Sequence, residues 1–188
     1  AQKQRLSLSR AQRELSALHE RLRQAGVTVL TGPPGVGKSH LVRAYVETRW
    51  ARESDKRCFW ADLTHCGDAD LLCTAIATEL ELPDESDGHP SGGGPALDAR
   101  VMRIGRGLAS HGDALLVLEH FDGLTEVGAS LVETLARLAT KVRILITSRA
   151  RLAMACETQV IGPLALPASS APRDVQASAA VQMLLHRA

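Results

Sequence analysis

One eight-residue stretch of the 188-residue chain combines three glycines with a lysine and a serine at a spacing suited to holding a phosphate. The glycines let successive backbone N–H groups turn inward and form an anion nest. The lysine would reach the β- and γ-phosphates of a nucleotide, and the serine hydroxyl would ligate Mg²⁺. The G-x-x-x-x-G-K-S pattern therefore predicts a site for ATP or ADP with Mg²⁺. Its members are Gly32, Pro33, Pro34, Gly35, Val36, Gly37, Lys38 and Ser39.

The segments on either side of this loop have the patterns that a phosphate site needs. Residues 27–30 (V-T-V-L) form a continuous β-branched and aliphatic run, which predicts a strand. After Ser39 the apolar residues Leu41, Val42 and Tyr45 recur at helical spacing. A helix that begins here directs its free N–H groups and the positive end of its dipole at the phosphate. The strand, loop and helix order thus supports the motif.

A second chemical feature is the acidic end of the apolar run 114–118. A P-loop nucleotidase needs an acid at the tip of a second buried strand, to hold the water shell of Mg²⁺ and orient the attacking water. Glu119 takes the position usually held by Asp, and because it is one methylene longer the metal shell must shift slightly. The alternative for Glu119 is an ordinary acid at a strand end.

The residues after Glu119 bear on the rate of hydrolysis. His120 occupies the position where many such enzymes keep a catalytic Glu, and Asp122 is the nearest other acid. An imidazole or a displaced carboxylate positions water weakly. We therefore expect slow hydrolysis, and a turnover well above about 1 per second would contradict it.

The fourth predicted strand, 142–147, leads into polar and charged residues. Thr147 or Ser148 would sense the γ-phosphate, and Arg149 would contact it as an arginine from the same chain. This assignment requires the strand to lie beside the P-loop strand. The alternative for Arg149 is a solvated arginine at the end of a strand.

Strands and helices alternate along the chain, which predicts a parallel sheet with helices on both faces. We expect one three-layer α/β/α domain with five parallel strands. If the fourth strand is inserted between the P-loop strand and the acid strand, as in the additional-strand NTPases, the order is 5-1-4-3-2. The predicted strands are 27–30, 58–63, 114–118, 142–147 and 159–162, and the predicted helices are 1–24, one from about 39, 70–82, 97–108 and 131–138.

Two segments depart from this alternation. Residues 83–96 are rich in Gly, Pro and acids, which predicts a flexible, exposed insertion rather than a domain boundary. A last helix is predicted from residue 174 onward. Because the chain begins without Met and ends inside that predicted helix, we expect it to be a fragment of a longer protein.

Composition narrows the classes of partner. Lys and Arg number 22 and Asp and Glu 21, so bulk charge does not favour a polyanionic partner. Two Trp, one Tyr and two Phe are too few for a base-stacking platform, and we expect no direct nucleic-acid binding by this segment. The four cysteines lack C-x-x-C spacing, which predicts reduced thiols in a cytoplasmic protein. No apolar run is long enough to span a membrane.

Four segments in a fixed order resemble the STAND class of signal-transduction ATPases, which includes the NB-ARC proteins. Residues 9–18 resemble the motif that leads into the family's domain, with Ser9 where the family has Gly, and the resemblance implies that Arg10 contacts the nucleotide. The loop T-G-P-P-G-V-G-K-S-H-L is close to the family pattern, which extends the expected contacts to His40. The segments L-L-V-L-E-H-F-D-G-L and I-L-I-T-S-R-A-R-L resemble the family's acid and T-S-R strands, which gives Arg149 the γ-phosphate sensor role. Residues 160–167 and 180–188 resemble the stretch that leads into the family's helical lid, so 168–188 are expected to start that lid.

The resemblance implies a molecular switch, in which ATP or ADP biases a longer protein between a closed state and an open, oligomer-forming state. Its partners would be flanking sensor and effector domains and an ATP-dependent homo-oligomer. A preference for adenine over guanine follows only from the resemblance.

Three alternatives stay open. An AAA+ motor would be distinguished by an arginine finger directed at a neighbouring subunit and by a four-helix lid. A degenerate scaffold would bind nucleotide without turnover, and Glu119 and His120 keep this alternative open. A P-loop kinase would need an acceptor pocket and usually an Arg-rich lid.

Overall fold

The computed structural model describes residues 2–52, 56–83, 95–124 and 126–163, with the backbone alone for residues 2–11 and 95. Helices and strands alternate along these residues. The helices are α1 (Gln2–Gln24), α2 (Lys38–Thr48), α3 (Ala69–Glu79), α4 (Pro95–Ser110) and α5 (Glu126–Leu138). The strands are β1 (Val27–Thr31), β2 (Arg57–Asp62), β3 (Ala114–Glu119), β4 (Arg143–Ser148) and β5 (Glu157–Val160). Short 3-10 turns at Trp50–Arg52 and Phe121–Gly123 follow α2 and β3.

The five strands form one parallel sheet in the order β2-β3-β4-β1-β5. The predicted three-layer α/β/α fold with strand order 5-1-4-3-2 is therefore confirmed. β4 lies between β1 and β3, with Thr31 opposite Ser148 and Leu118 opposite Ile146. Because parallel strands end at the same edge of a sheet, the carboxyl ends of β1, β3 and β4 meet there.

Both faces of the sheet are covered, because β1, β2, β3 and β4 alternate their side chains between two hydrophobic clusters. On one face Leu116 and Leu118 pack with residues of α3, α4 and α5. On the other face Leu115 and Val117 pack with residues of α1 and α2, including the buried Tyr45. This two-sided burial explains why β3 is apolar at almost every position. It also makes the sheet a rigid support for the side chains at its carboxyl edge.

Most elements have boundaries that differ from the predicted ones by one or more residues, and the reason is clear for β5 and α3. β5 runs over Glu157–Val160 rather than 159–162, because it pairs with β1 only as far as Thr31. α3 ends at Glu79, before the predicted 82, because Glu81 adopts a left-handed backbone with φ of 52°. The helix begins after Asp68, whose carboxylate accepts a hydrogen bond from the Leu71 amide and caps the first turn.

Two predicted segments lie mostly or wholly outside the described residues. These are the insertion predicted over 83–96, of which residues 84–94 are not described, and the lid segment 168–188. The predicted insertion is too long at its C-terminal end, because Pro95 and Ala96 belong to α4. Proline suits the first turn of a helix, where its missing N–H is not needed. Among the described residues, no helix is long and apolar enough to cross a membrane.

Candidate functional site

The glycine-rich loop joins β1 to α2, and two of its glycines are required by backbone conformation. Gly35 and Gly37 have φ values of 75° and 101°, in the left-handed region where residues with a Cβ are strained. Gly32 is required for a different reason, because a Cβ there would lie 2.4 Å from the carbonyl oxygen of Ile161. The loop is therefore bent by two glycines and packed against the end of β5 by the third.

Lys38 closes this loop on itself. Its Nζ donates to the carbonyl oxygens of Gly32 and Pro33, at 2.7 and 3.0 Å. Burial lowers the pKa of the Lys38 ammonium, and the nearby charge of Arg149 lowers it further, whereas Asp122 acts in the opposite direction. The ammonium is thus held at the loop whose N–H groups would receive a phosphate.

A cavity of about 250 Å³ lies in front of the loop, at the carboxyl edge of the sheet. It brings together most of the residues that the sequence pointed to. Its lining residues are Pro34, Gly35, Gly37, Lys38, Ser39, His40, His120, Asp122, Thr147 and Arg149. The other predicted residues have other surroundings: Gly32, Pro33, Val36, Glu119 and Ser148 do not line this cavity, and the side chain of Arg10 lies outside the described residues.

Glu119 is buried behind the cavity at 2% exposure. Its Oε2 accepts a hydrogen bond from Trp60 Nε1 at 3.0 Å, whereas its Oε1 is buried without a hydrogen-bond partner among the described residues. By strand alternation Glu119 shares the face of Leu115 and Val117, which α2 covers. The unpaired carboxylate oxygen of Glu119 and the hydroxyl of Ser39, at the start of α2, are oxygen donors of the kind that Mg²⁺ prefers. The residues present therefore fit the cation.

His120 is held by contacts from three sides. It adopts a left-handed backbone with φ of 63°, and its amide donates to Thr147 Oγ1 at 3.0 Å. Its Nδ1 lies 3.0 Å from Asp62 Oδ1 and 3.1 Å from Thr64 Oγ1. Hydrogen bonds from Thr64 and then from His120 lower the pKa of Asp62. A carboxylate acceptor favours the tautomer with its proton on Nδ1, which leaves Nε2 as the acceptor nitrogen.

Asp122 contacts the tip of β4 through both of its carboxylate oxygens. Its Oδ1 accepts from the Arg149 amide at 2.5 Å and from Ser148 Oγ at 3.3 Å. Its Oδ2 pairs with Arg149 Nε at 3.1 Å. Of the two candidate hydroxyls at this tip, Thr147 lines the cavity while Ser148 is bonded to Asp122.

Helix α1 is joined to the edge strand beside the site. Gln159 Nε2 donates to the carbonyl oxygen and to the Oε2 of Glu14, at 3.2 and 3.1 Å. Arg21 pairs with Glu157 at 2.7 Å in the same region. The segment 9–18, which carries the resemblance to a nucleotide-contacting motif, therefore packs against β5 next to the P-loop strand.

Larger hollows exist elsewhere among the described residues. A groove of about 450 Å³ lies between α4 and α5, and its lining is mostly apolar, with Leu97, Val101 and Met102 on α4. The P-loop cavity is smaller, but it gathers a lysine, an arginine, two histidines and an aspartate beside the glycine loop. Convergent polar groups, rather than volume, make it the candidate functional site.

Three functional contacts were not predicted from the sequence. Trp60 hydrogen-bonds Glu119, and Asp62 with Thr64 orients His120. The polar residues at the end of the second predicted strand could have indicated these contacts, because β2 neighbours β3 with Asp62 opposite Glu119. Polar residues at that end should have been expected beside the acid.

Comparison with known proteins gives one matching family model, described as an AAA domain, over residues 20–155. Uncharacterized proteins of Mycobacterium tuberculosis and Mycobacterium bovis are 29% identical over 154 residues, which cover 81% of this chain and 36% of theirs. The chain thus spans about a third of the length of these relatives.

Solved structures give similar folds at low identity. Cdc6p of Pyrobaculum aerophilum matches with a TM-score of 0.60 and 16% identity, over 80% of this chain and 44% of that one. A STAND protein with a tetratricopeptide repeat sensor from Pyrococcus horikoshii matches with a TM-score of 0.56 and 19% identity, over 82% of this chain and 23% of that one. The ORC2 protein of Aeropyrum pernix matches with a TM-score of 0.52 and 14% identity, over 75% of this chain and 40% of that one.

Proposed function

This chain belongs to the AAA domain family of P-loop ATPases, and on that premise we propose that it is a switch domain that binds ATP or ADP with Mg²⁺ and hydrolyses ATP slowly. The observation that carries the proposal is the convergence of Lys38 and Arg149 on one cavity beside a glycine nest. Lys38 follows β1 and Arg149 follows β4, so the two cations reach the cavity from neighbouring strands.

The switch property rests on Arg149. Backbone donors of the loop and the N-terminus of α2 would hold the phosphates that ATP and ADP share. Arg149 follows β4 and lines the same cavity, and its proposed contact is with the γ-phosphate, which only ATP carries. A ligand shifts a conformational equilibrium only through contacts that differ between states, and this arginine supplies such a contact.

The proposed slow turnover rests on the groups around β3. Ser39 and Glu119 would hold Mg²⁺, which when bound neutralises charge on the β- and γ-phosphates. His120 lines the cavity at the position where many such enzymes keep a catalytic Glu, with Asp62 on its Nδ1. An imidazole in place of that carboxylate positions the attacking water only weakly. Hydrolysis should therefore be slow on the scale of most enzymes.

The biological setting is proposed from the sequence resemblance. The motifs favour a STAND-type signalling or regulatory protein, in which flanking sensor and effector domains read the nucleotide state and ATP favours a homo-oligomer. We place it in the cytoplasm, without direct nucleic-acid binding by this segment. An AAA+ motor is the alternative within the same family.

A nucleotide-binding scaffold without turnover is the second candidate, and one observation favours it. Glu119 is committed to Trp60 by a hydrogen bond and does not line the cavity. A carboxylate held in that way would bind the cation shell less readily than an acid facing the cavity. Phosphate release separates this candidate from the switch.

The test is a titration of ATP and ADP with Mg²⁺ into the chain and into Lys38→Ala, with phosphate release followed for hours. Lys141→Ala, an exposed lysine before β4, is the matched control. We expect Lys38→Ala to weaken both nucleotides by about ten- to a hundredfold, because it removes charge-assisted hydrogen bonds. Fast turnover would favour the motor, binding without turnover the scaffold, and equal binding by Lys38→Ala would contradict the proposed site.

A further inference from the structure

Two cations and one carboxylate meet at the P-loop cavity. Lys38 and Arg149 would repel each other there, and this repulsion acts on Lys38 in the direction opposite to Asp122. Asp122 also pairs with Arg149 through Nε. The carboxylate is therefore a shared counter-ion, which allows both cations to occupy the cavity before any phosphate arrives.

Asp122 contacts Arg149 in a way that leaves the terminal amino groups of its guanidinium available to a ligand. One carboxylate oxygen takes the Arg149 backbone amide at 2.5 Å, and the other takes Nε at 3.1 Å. Neither oxygen engages the two terminal amino groups of the guanidinium, which are the groups that bind phosphate in a fork. The arginine is 63% exposed at its side chain and lines the cavity, so its terminal nitrogens are accessible to a ligand.

Asp122 is more firmly placed than the arginine it holds. It lies in the 3-10 turn between Phe121, which is fully buried, and Gly123, where a Cβ would lie 2.9 Å from the Cys66 carbonyl oxygen. The preceding residue, His120, is tied to Thr147 through its amide. A carboxylate on so constrained a turn fixes the direction of a flexible, exposed arginine rather than the reverse.

We propose that Asp122 is the positioning residue of the γ-phosphate sensor, which orients Arg149 toward the cavity and thereby sets the preference for ATP over ADP. This inference rests on the proposed function of Arg149. It replaces the expectation that Asp122 orients the attacking water, because both carboxylate oxygens are committed to the tip of β4.

A double-mutant cycle tests the inference. Dissociation constants for ADP and for a non-hydrolysable ATP analogue, both with Mg²⁺, are measured by competition with a fluorescent nucleotide for the chain, Asp122→Asn, Arg149→Gln and the double variant. We expect Arg149→Gln to lower the preference for the ATP analogue by about tenfold or more, the strength of one charge-assisted contact. Asp122→Asn should lower it by about three- to tenfold, and the double variant should be no worse than Arg149→Gln, because Asp122 acts through that arginine.

The ratio of the two affinities is the readout, because a simple charge effect has the opposite sign. Removing a carboxylate beside an anion site strengthens both nucleotides, and the more highly charged ATP analogue more than ADP. Glu79→Gln, at the end of α3, and Arg49→Gln, at the end of α2 away from the P-loop, are exposed matched controls in which the ratio should not change. Thermal unfolding of every variant checks that the fold is intact, and Asp122→Glu should restore part of the preference.

Two results would overturn the inference while leaving the proposed function in place. The first is a raised preference for ATP in Asp122→Asn. This result would mean that the ion pair must break before Arg149 can contact ATP. The second is losses that add in the double variant, which would mean that Asp122 acts on the nucleotide independently. An unchanged ratio in Arg149→Gln would instead reject the proposed sensor, and with it the inference.

Discussion

At each end of the sheet, a lysine and an arginine share one aspartate. The two groups differ in whether their charged side chains remain accessible to a ligand. At the amino edge, Lys56 and Arg143 both pair with Asp113 and both lie over the Trp50 ring, at 4.8 and 5.6 Å from its centroid. At the carboxyl edge, Arg149 pairs with Asp122, whose charge also acts on Lys38, and among the described residues neither cation lies over an aromatic ring.

Exposure separates the two groups further. The Lys56 and Arg143 side chains are only 18% and 25% exposed, so that group is packed against the body of the domain. Arg149 is mostly exposed and faces a cavity bounded by the glycine loop. A cluster of opposite charges is thus not in itself a binding site. The carboxyl edge is the candidate site because it combines an accessible arginine with a glycine loop whose N–H groups would receive a phosphate.

Two glycines that flank β1 test this comparison with the largest expected effect. Gly32→Ala places a Cβ 2.4 Å from the Ile161 carbonyl oxygen, so the loop or the end of β5 must move. We expect nucleotide binding to fall by at least about tenfold and stability by roughly 1–3 kcal/mol, as for other overpacked sites. Gly26→Ala, at the amino end of the strand, has open space around its Cβ and should change stability by less than about 0.5 kcal/mol. Urea unfolding and nucleotide titration measure both, and equal effects would contradict the distinction.

Two tryptophans offer the next comparison, because one donates its indole N–H near the carboxyl edge of the sheet and the other near the amino edge. Trp60 donates to the buried carboxylate of Glu119, whereas Trp50 donates to the Arg57 carbonyl oxygen. Trp60→Phe leaves Glu119 without a donor among the described residues, which should cost roughly 1–3 kcal/mol as an unsatisfied buried charged group. Adding Glu119→Gln should recover part of this loss in chemical unfolding, since it removes the buried charge. No loss in Trp60→Phe would mean that water or another donor satisfies Glu119.

The two arginines at the ends of β4 should differ in their effects: one should affect mainly stability and the other mainly nucleotide affinity. Arg143→Gln should lower stability by about 1 kcal/mol, because a partly exposed ion pair and a cation–π contact are lost, and should leave nucleotide affinity unchanged. Arg149→Gln should change stability by less than about 0.5 kcal/mol, as expected for an exposed side chain, but should weaken the ATP analogue. Thermal unfolding and nucleotide competition on the same samples provide both readouts. A loss of ATP preference in Arg143→Gln would show that the amino edge communicates with the site.

The fold and the phosphate loop were predictable because their signals are local or periodic. Residues 32–39 form a motif whose geometry depends on glycine conformation, and the run 114–118 is apolar throughout because both faces of β3 are buried. The position of β4 beside β1 was predicted by analogy with the additional-strand NTPases, and this placement brings Arg149 to the cavity.

The contacts that tune the site were not predictable from the same signals. The bond from Trp60 to Glu119 depends on the lateral packing of β2 against β3, which a single sequence does not specify. The attachment of Asp122 to Arg149 depends on a 3-10 turn that follows a left-handed His120. The sequence identified each of these acids as a candidate, but what each one contacts is decided by tertiary structure.

The smallest expected effect concerns the pH dependence of the amino-edge group. Burial acts to raise the pKa of Asp113, but the hydrogen bond from Lys56 and the charge of Arg143 outweigh it, so the pKa lies below its ordinary value of 3.8. A carboxyl whose pKa is depressed in the folded state contributes stability above its unfolded pKa, and this contribution is lost as the pH falls through the folded pKa.

Asp113→Asn should therefore be less stable than the parent at neutral pH, by no more than about 1 kcal/mol because the pair is partly exposed. The difference in stability between parent and variant should shrink as the pH falls below 3.8, because the Asp113 carboxyl of the parent is then protonated and loses its charge. Urea unfolding at a series of pH values measures it, and high salt should reduce it at neutral pH by screening. Nucleotide affinity should not show this pH dependence, because Asp113 lies at the edge of the sheet opposite the P-loop. A parallel loss of affinity would mean that the two charge groups are coupled through β4.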